Sequence, residues 1–217
     1  MNNGKIVAIM PIKLKNERLP GKNTMMLNGK PLLRHVLDTL KSVDEIDEKY
    51  VYCSNEEIVK YLNDDEIFLK RPAELDLPTS NFSQIFQEFE KKVRADIYVY
   101  IHATAPYLSP DTIRRGIHAV LDEGYDSAFC AVKIQDFLWK DGKPLNFDAE
   151  NLPRSQDLEM IYRETSGSYV FRREVFDKFH RRVGEKPYIS EVSYKEAVDI
   201  NEESDFRLAE LLGGFGG

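Results

Sequence analysis

A chain of 217 residues suffices for one sizeable core and demands no second independent domain. A net charge of −7 excludes a general nucleic-acid binder, and two widely separated cysteines, Cys53 and Cys130, exclude a disulfide framework or a zinc site. No apolar run approaches the roughly 20 residues that cross a bilayer and the N-terminus carries no apolar signal segment, so a cytoplasmic protein without membrane partners is expected.

The first element is an apolar, partly β-branched run from Ile6 to Met10, expected as a buried strand that stops at Pro11. It opens into a loop carrying Lys13, Lys15, Arg18 and Lys22, with Gly21 permitting close backbone approach. At the carboxyl end of a central parallel strand such cations suit a triphosphate or pyrophosphate, and a solvated basic loop is the alternative on spacing alone. Neither the P-loop pattern nor G-x-G-x-x-G occurs.

From Pro31, residues Leu32, Leu33, Val36, Leu37 and Leu40 have helical period, and His35 beside them reads as a helix histidine without chemistry. Strands are predicted at Lys49 to Ser54 and Glu66 to Lys70, with a helix from Glu56 to Leu62 between them. A helix follows from Gln84 to Val93, then a strong strand, Ala95 to Ile101, running into His102-Ala103-Thr104-Ala105-Pro106. Ser109-Pro110-Asp111 caps a helix to Glu123, and Ser127 to Lys133 is a further strand. The order is that of a mainly parallel sheet covered by helices. Between Ile134 and Thr165 the rhythm breaks around the single tryptophan, Trp139, which predicts an excursion with its own short strands and a dimer contact. Gly167 to Arg172 returns as a strand, Glu174 to Phe179 is helical, Ala197 to Asn201 is a short strand, and Glu202 and Glu203 open a last helix. One domain over 1–212 with a disordered glycine-rich tail over 213–217 is expected.

Several ordered motifs then resemble one family. M-P-I-K-L-K-N-E-R-L-P-G-K-N is similar to the opening I-P-A-R-x-x-S-x-R-L-P-x-K-N of the acylneuraminate cytidylyltransferases; N-G-K-P-L-L, K-R-P-A-E-L, Y-I-H-A-T-A-P-Y-L-S-P and D-I-N-E-E-S-D-F follow in the family's order, from about Ile6 to Leu211. The resemblance implies an α/β, Rossmann-like nucleotidyltransferase fold, a homodimer, and the reaction of CTP with a 2-keto-3-deoxy sugar acid to give a CMP-sugar and pyrophosphate with Mg2+. It implies Lys22 and Arg18 on the triphosphate, and Lys13, Asn23 and Arg71 on the nucleotide. Thr104 and Pro106 would shape the pocket floor, and Asp199 would bind magnesium and orient the anomeric hydroxyl. Two positions depart from the pattern. Asn201 stands where the family has a second metal-binding aspartate and contributes no charge. His102 stands where a glutamine is usual, either to bond the base or to fill its space. Arg154, Gln156 and Ser166 of the E-T-S-G turn resemble the sugar-acid side; Arg154 reads either as a bidentate carboxylate partner or as a surface ion pair. A weakened nucleotide-binding relative with a regulatory role, and a same-fold enzyme using another nucleotide, are the competing functions.

Overall fold

The computed structural model describes residues 4–214. Its main sheet has seven strands: β1 (Ile6–Ile12), β2 (Glu48–Cys53), β3 (Ile67–Lys70), β4 (Ile97–Ile101), β5 (Ser127–Ile134), β6 (Ile161–Arg172) and β7 (Pro187–Glu191). Their spatial order is β7-β5-β6-β4-β1-β2-β3, with β6 alone antiparallel to its neighbours. The chain moves outward from β1 through β2 to β3, then returns to the other side of β1 as β4. The crevice at the carboxyl ends of β1 and β4 is therefore the switch point where open α/β sheets hold their ligands.

Side-chain alternation along β1 feeds two cores. Ile6, Ala8, Met10 and Ile12 face one side, which is covered by α1 (Leu32–Lys41) through Leu33, Val36, Leu37 and Leu40 and by α3 (Pro110–Asp122) through Ile113, Ile117 and Val120. Val7 and Ile9 face the other, an aromatic layer in which α2 (Phe82–Glu90) and α4 (Arg173–Phe179) press Phe86, Phe89 and Phe176 against Tyr98, Tyr169 and Phe171. Being apolar on both faces is what makes β1 central. Local chemistry sets the helix starts: Asn81 and Gln84 form a reciprocal capping box on α2, while Ser109 accepts the Thr112 amide ahead of Pro110 on α3.

A third, smaller cluster joins Leu27, Leu32, Ile200, Phe206 and Ala209, with Leu19 and Met25 packed against it. It seats the final helix, α5 (Glu203–Gly214), behind the loop that follows β1. Residues 213–214 thus belong to a helix rather than to a loose tail, and a Cβ on Gly213 would meet the Asn28 side chain at 1.7 Å. Residues 215–217, the rest of the expected tail, lie outside the described residues.

Other expectations shift in detail. β1 continues through Pro11 to Ile12, because its pairing with β4 has already ended at Ile9 and the missing amide costs that ladder nothing. Residues Glu56–Tyr61 form a 3-10 rather than an α-helix. Ala197 to Asn201 is not a strand: it leaves the turn 194–197 as an irregular segment tied by the Ile200 amide to the Thr104 carbonyl at 2.9 Å. The strand at this end of the chain is instead β7, whose half-exposed edge position needs no apolar run. The excursion carries a two-residue hairpin, Trp139–Lys140 with Lys143–Pro144, and β6 begins at Ile161, six residues before the expected start. Both cysteines are free and buried, and His35 bonds the Leu27 carbonyl at 2.9 Å, fastening α1 to the short hairpin of Met26–Leu27 with Lys30–Pro31 that precedes it.

Glu196 anchors the segment that leads to Asp199. Its carboxylate accepts from the Ser109 hydroxyl and the Thr112 hydroxyl, both at 2.7 Å, and from the Ser193 amide at 3.2 Å. Burial opposes its ionisation, but these bonds outweigh the cost and hold its carboxyl below the usual range. A depressed carboxyl pKa gives stability that is present above the unfolded value and lost as pH falls through the folded one. Glu196→Ala is expected to cost about 2–3 kcal/mol, since it orphans several donors. Urea unfolding of the variant at neutral pH, and its weaker acid dependence, check this.

Candidate active site

The loop after β1 is held by its own asparagine. Asn23 is buried and donates Nδ2 to the Lys13 carbonyl at 2.9 Å, closing the loop on itself. Gly21 sits at φ 69, and a Cβ there would meet only Thr24 Oγ1 at 3.9 Å, so the glycine is required by the left-handed turn and not by crowding. That turn presents Lys22 at the start of a 3-10 turn, Lys22–Thr24.

Lys13, Arg18 and Lys22 come together with Asn16, Glu17, Pro78 and Asn201 around a cleft of about 290 Å3. Lys22 Nζ donates to the Ile200 carbonyl at 2.6 Å, and Arg18 donates to Asn201 Oδ1 at 2.7 Å. Lys13 Nζ reaches the Asp76 carbonyl at 3.4 Å. Burial pulls the Lys22 ammonium below its ordinary pKa; Asp199 opposes that shift, and Arg18 and Lys13 add to it. Three cations against one lining carboxylate leave an excess of positive charge that a polyanion would neutralise. Lys15 is exposed on the far side of the loop, beside Ser54 and Asp76.

The opposite wall is the segment 199–205. Asn201 spans two charged groups: its Nδ2 donates to Asp199 Oδ2 at 2.9 Å while its Oδ1 accepts from Arg18. Asp205 Oδ2 accepts the Asn201 and Glu202 amides at 2.8 and 2.9 Å, fixing the start of α5. Asp199 Oδ1 is buried with no hydrogen-bond partner. Sequence reasoning gave no role to Asp205, although it lies in the D-I-N-E-E-S-D-F motif and takes amides three and four residues back, nor to Asp76, which the fold brings to Ser54.

Arg71, 3% exposed, is ion-paired through Nη2 to Asp76, which also accepts the Ser54 hydroxyl, so this arginine holds the turn beside Lys13, and its Nε is buried without a partner. Thr104 contributes its carbonyl to Ile200, and Pro106 is buried in the same turn. His102, half-buried, meets Tyr100 edge-on with ring centroids 5.4 Å apart, and its Nε2 has no partner. Burial first, then the Arg182 guanidinium, lowers its pKa to about 4, so the ring is neutral at physiological pH.

Arg154 and Gln156 are not among the residues lining the cleft. They lie in or beside an exposed turn, Ser155–Asp157, where Asp157 takes one edge of the Arg154 guanidinium, Nε at 2.7 Å and Nη2 at 3.0 Å. Ser166, half-buried, sits where the β5–β6 register shifts between Glu164 and Tyr169. Among the described residues, no three His, Cys, Asp or Glu side chains gather as a metal site. The orphaned Asp199 oxygen and the neighbouring Asn201 amide still fit a magnesium ion that arrives with phosphates and takes one or two protein oxygens.

A profile described as cytidylyltransferase matches residues 7–211, nearly the whole chain. The chain belongs to the cytidylyltransferase family. The family's members are nucleotidyltransferases, and the mainly parallel sheet with flanking helices is its Rossmann-like fold. N-acylneuraminate cytidylyltransferase A of Danio rerio is 27% identical over 94% of this chain and 50% of its own length. The corresponding Oncorhynchus mykiss enzyme is matched over 49% of its own length, so the chain spans about half of these two relatives. CMP-N,N'-diacetyllegionaminic acid synthase of Legionella pneumophila is 26% identical over 96% of both chains. In structure, CMP:2-keto-3-deoxy-manno-octonic acid synthetase complexed with CTP superposes with a TM-score of 0.72 at 16% identity, over 97% of this chain and 98% of that one. No helix among the described residues is long and apolar enough to cross a membrane.

Proposed function

We propose that the chain transfers CMP from CTP to the anomeric hydroxyl of a nonulosonic, sialic-type 2-keto-3-deoxy sugar acid, releasing pyrophosphate, in the synthesis of cell-surface glycans. The observation that carries this reading is the cleft in which Lys13, Arg18 and Lys22 converge opposite Asp199 and Asn201. Displacement at the α-phosphorus needs cations on the departing pyrophosphate and an acceptor at the attacking oxygen. Lys22 and Arg18 supply the first: each now spends a donor on residues 200 and 201, a contact that phosphate oxygens would replace. Asp199 Oδ1 supplies the second as a hydrogen-bond acceptor for the attacking hydroxyl. The new bond joins that hydroxyl oxygen to phosphorus, and the bond to the β-phosphate oxygen breaks. Magnesium, held by Asp199 and by Asn201 once Arg18 turns to phosphate, would neutralise charge on the phosphates. Neutral His102 faces the nucleotide or acceptor with an Nε2 that has no other partner.

A homodimer through the excursion is part of the proposal, supported by Trp139, Leu145 and Leu152, each at least 58% exposed. One feature favours a second reading, a weakened nucleotide-binding regulator: the metal-facing position 201 is an amide already occupied by Arg18. Incubation with CTP, magnesium and a panel of 2-keto-3-deoxy sugar acids should release pyrophosphate. CTP binding without release from any acid would establish the regulator instead, and release only with UTP or GTP would establish a different nucleotide.

A further inference from the structure

On the β6 side of His102, in the connection between α4 and β7, Arg182 lays its guanidinium 3.5 Å above the centre of the Tyr169 ring. Phe82 and Tyr100 flank it at 5.4 and 5.8 Å. Three aromatic faces fix the plane of the fork, as cation–π contacts do for arginine. Its side chain is 25% exposed, and among the described residues its ion-pair partner, Glu164, stands 3.9 Å away, beyond hydrogen-bond reach. A stacked, pre-oriented guanidinium with free edges matches a planar carboxylate in bidentate fashion.

Its place matters as much as its chemistry. The sheet order sets β1, β4 and β6 side by side, so the cations after β1, His102 after β4 and Arg182 above β6 lie across the strand ends in that sequence. Tyr169, which carries the guanidinium, is 6.4 Å from the His102 ring. His102 in turn feels Arg182, Asp199 and Lys22. A triphosphate on Lys13, Arg18 and Lys22 leaves its acceptor to extend over His102 towards Arg182. On that face His102 Nε2 is buried and unpartnered.

We propose that Arg182, held on the Tyr169 ring, binds the carboxylate of the acidic acceptor and thereby selects sugar acids over neutral sugars. The inference rests on the cytidylyltransferase reading of the cleft. Arg154, paired with Asp157 on an exposed turn outside the cleft, is not needed for this role.

The test compares Michaelis constants of the wild type, R182Q and R182K for CTP and for the best acid of the panel, and repeats them with that acid's methyl ester. R182Q is expected to raise the KM for the acid by about tenfold or more, to leave the KM for CTP within about twofold, and to erase the preference for acid over ester. R182K, which keeps the charge but loses the fork, should retain part of that preference. An unchanged KM for the acid, an undiminished preference for acid over ester, or a rise confined to CTP would overturn the proposal. If R182Q melts before assay, R182K decides alone: full acid-over-ester preference overturns the proposal, and reduced preference supports it. A wild type that releases no pyrophosphate with any acid overturns the cytidylyltransferase reading itself, a failure separate from inactivity of the variant alone.

Discussion

Lys22→Ala is expected to raise the KM for CTP and to lower kcat/KM by about a hundredfold or more, the loss typical when a preorganised donor to a developing anion is removed. Lys22 is the best placed of the three cations because its direction is fixed twice, by the Gly21 turn at φ 69 and by the 2.6 Å bond to Ile200. Partial burial makes its charge costly when the cleft is empty, and phosphate oxygens repay that cost on binding. Orphaning the Ile200 carbonyl would itself cost only about 1–3 kcal/mol of stability. A melting curve near the wild type's together with a collapsed CTP dependence would therefore assign the effect to phosphate. An unaffected KM for CTP would refute the role.

Asn201→Asp carries the second large effect. The amide joins Asp199 to Arg18 because it can donate at one end and accept at the other. Aspartate cannot donate, and it places a second carboxylate where 2.9 Å now separates Nδ2 from Asp199 Oδ2. Like charges so close raise one pKa and loosen the wall. The ion pair gained with exposed Arg18 returns about 1 kcal/mol at most. Without divalent cation the variant should melt several degrees lower. Added magnesium should restore the loss, and turnover should depend on magnesium more steeply than in the wild type. Identical magnesium titrations of both proteins would mean that the cation binds elsewhere.

The sequence made the central strands legible because β1 and β4 are buried on both faces and so read as unbroken apolar runs. Helices α1 and α3 were legible from their period and from Ser109 and Pro110 at a start. β7 was not, since an edge strand beside β5 needs little apolar character, and its proline falls at the tolerated first position. In the site, the loop from Lys13 to Asn23 announced its cations but not its closure. Asn23, read as a nucleotide contact, spends its Nδ2 on the Lys13 backbone. Arg71, read likewise, is committed to Asp76. Arg182 gave no signal at all, because its meaning comes from Tyr169, Tyr100 and Phe82, which are scattered along the chain and meet only when the sheet is assembled.

The small cluster behind the cation loop bears on how the protein matures. Leu19 and Met25 from that loop pack with Ile200, Phe206 and Ala209, residues almost two hundred positions later. The sheet and both large cores take their buried residues from positions up to Val192, whereas the backing of this loop, the Ile200 carbonyl under Lys22 included, comes from the segment that follows. Maturation of the cation loop should therefore be a separate step, completed when α5 docks, and loss of α5 should loosen Lys22 while the sheet and both large cores stay folded.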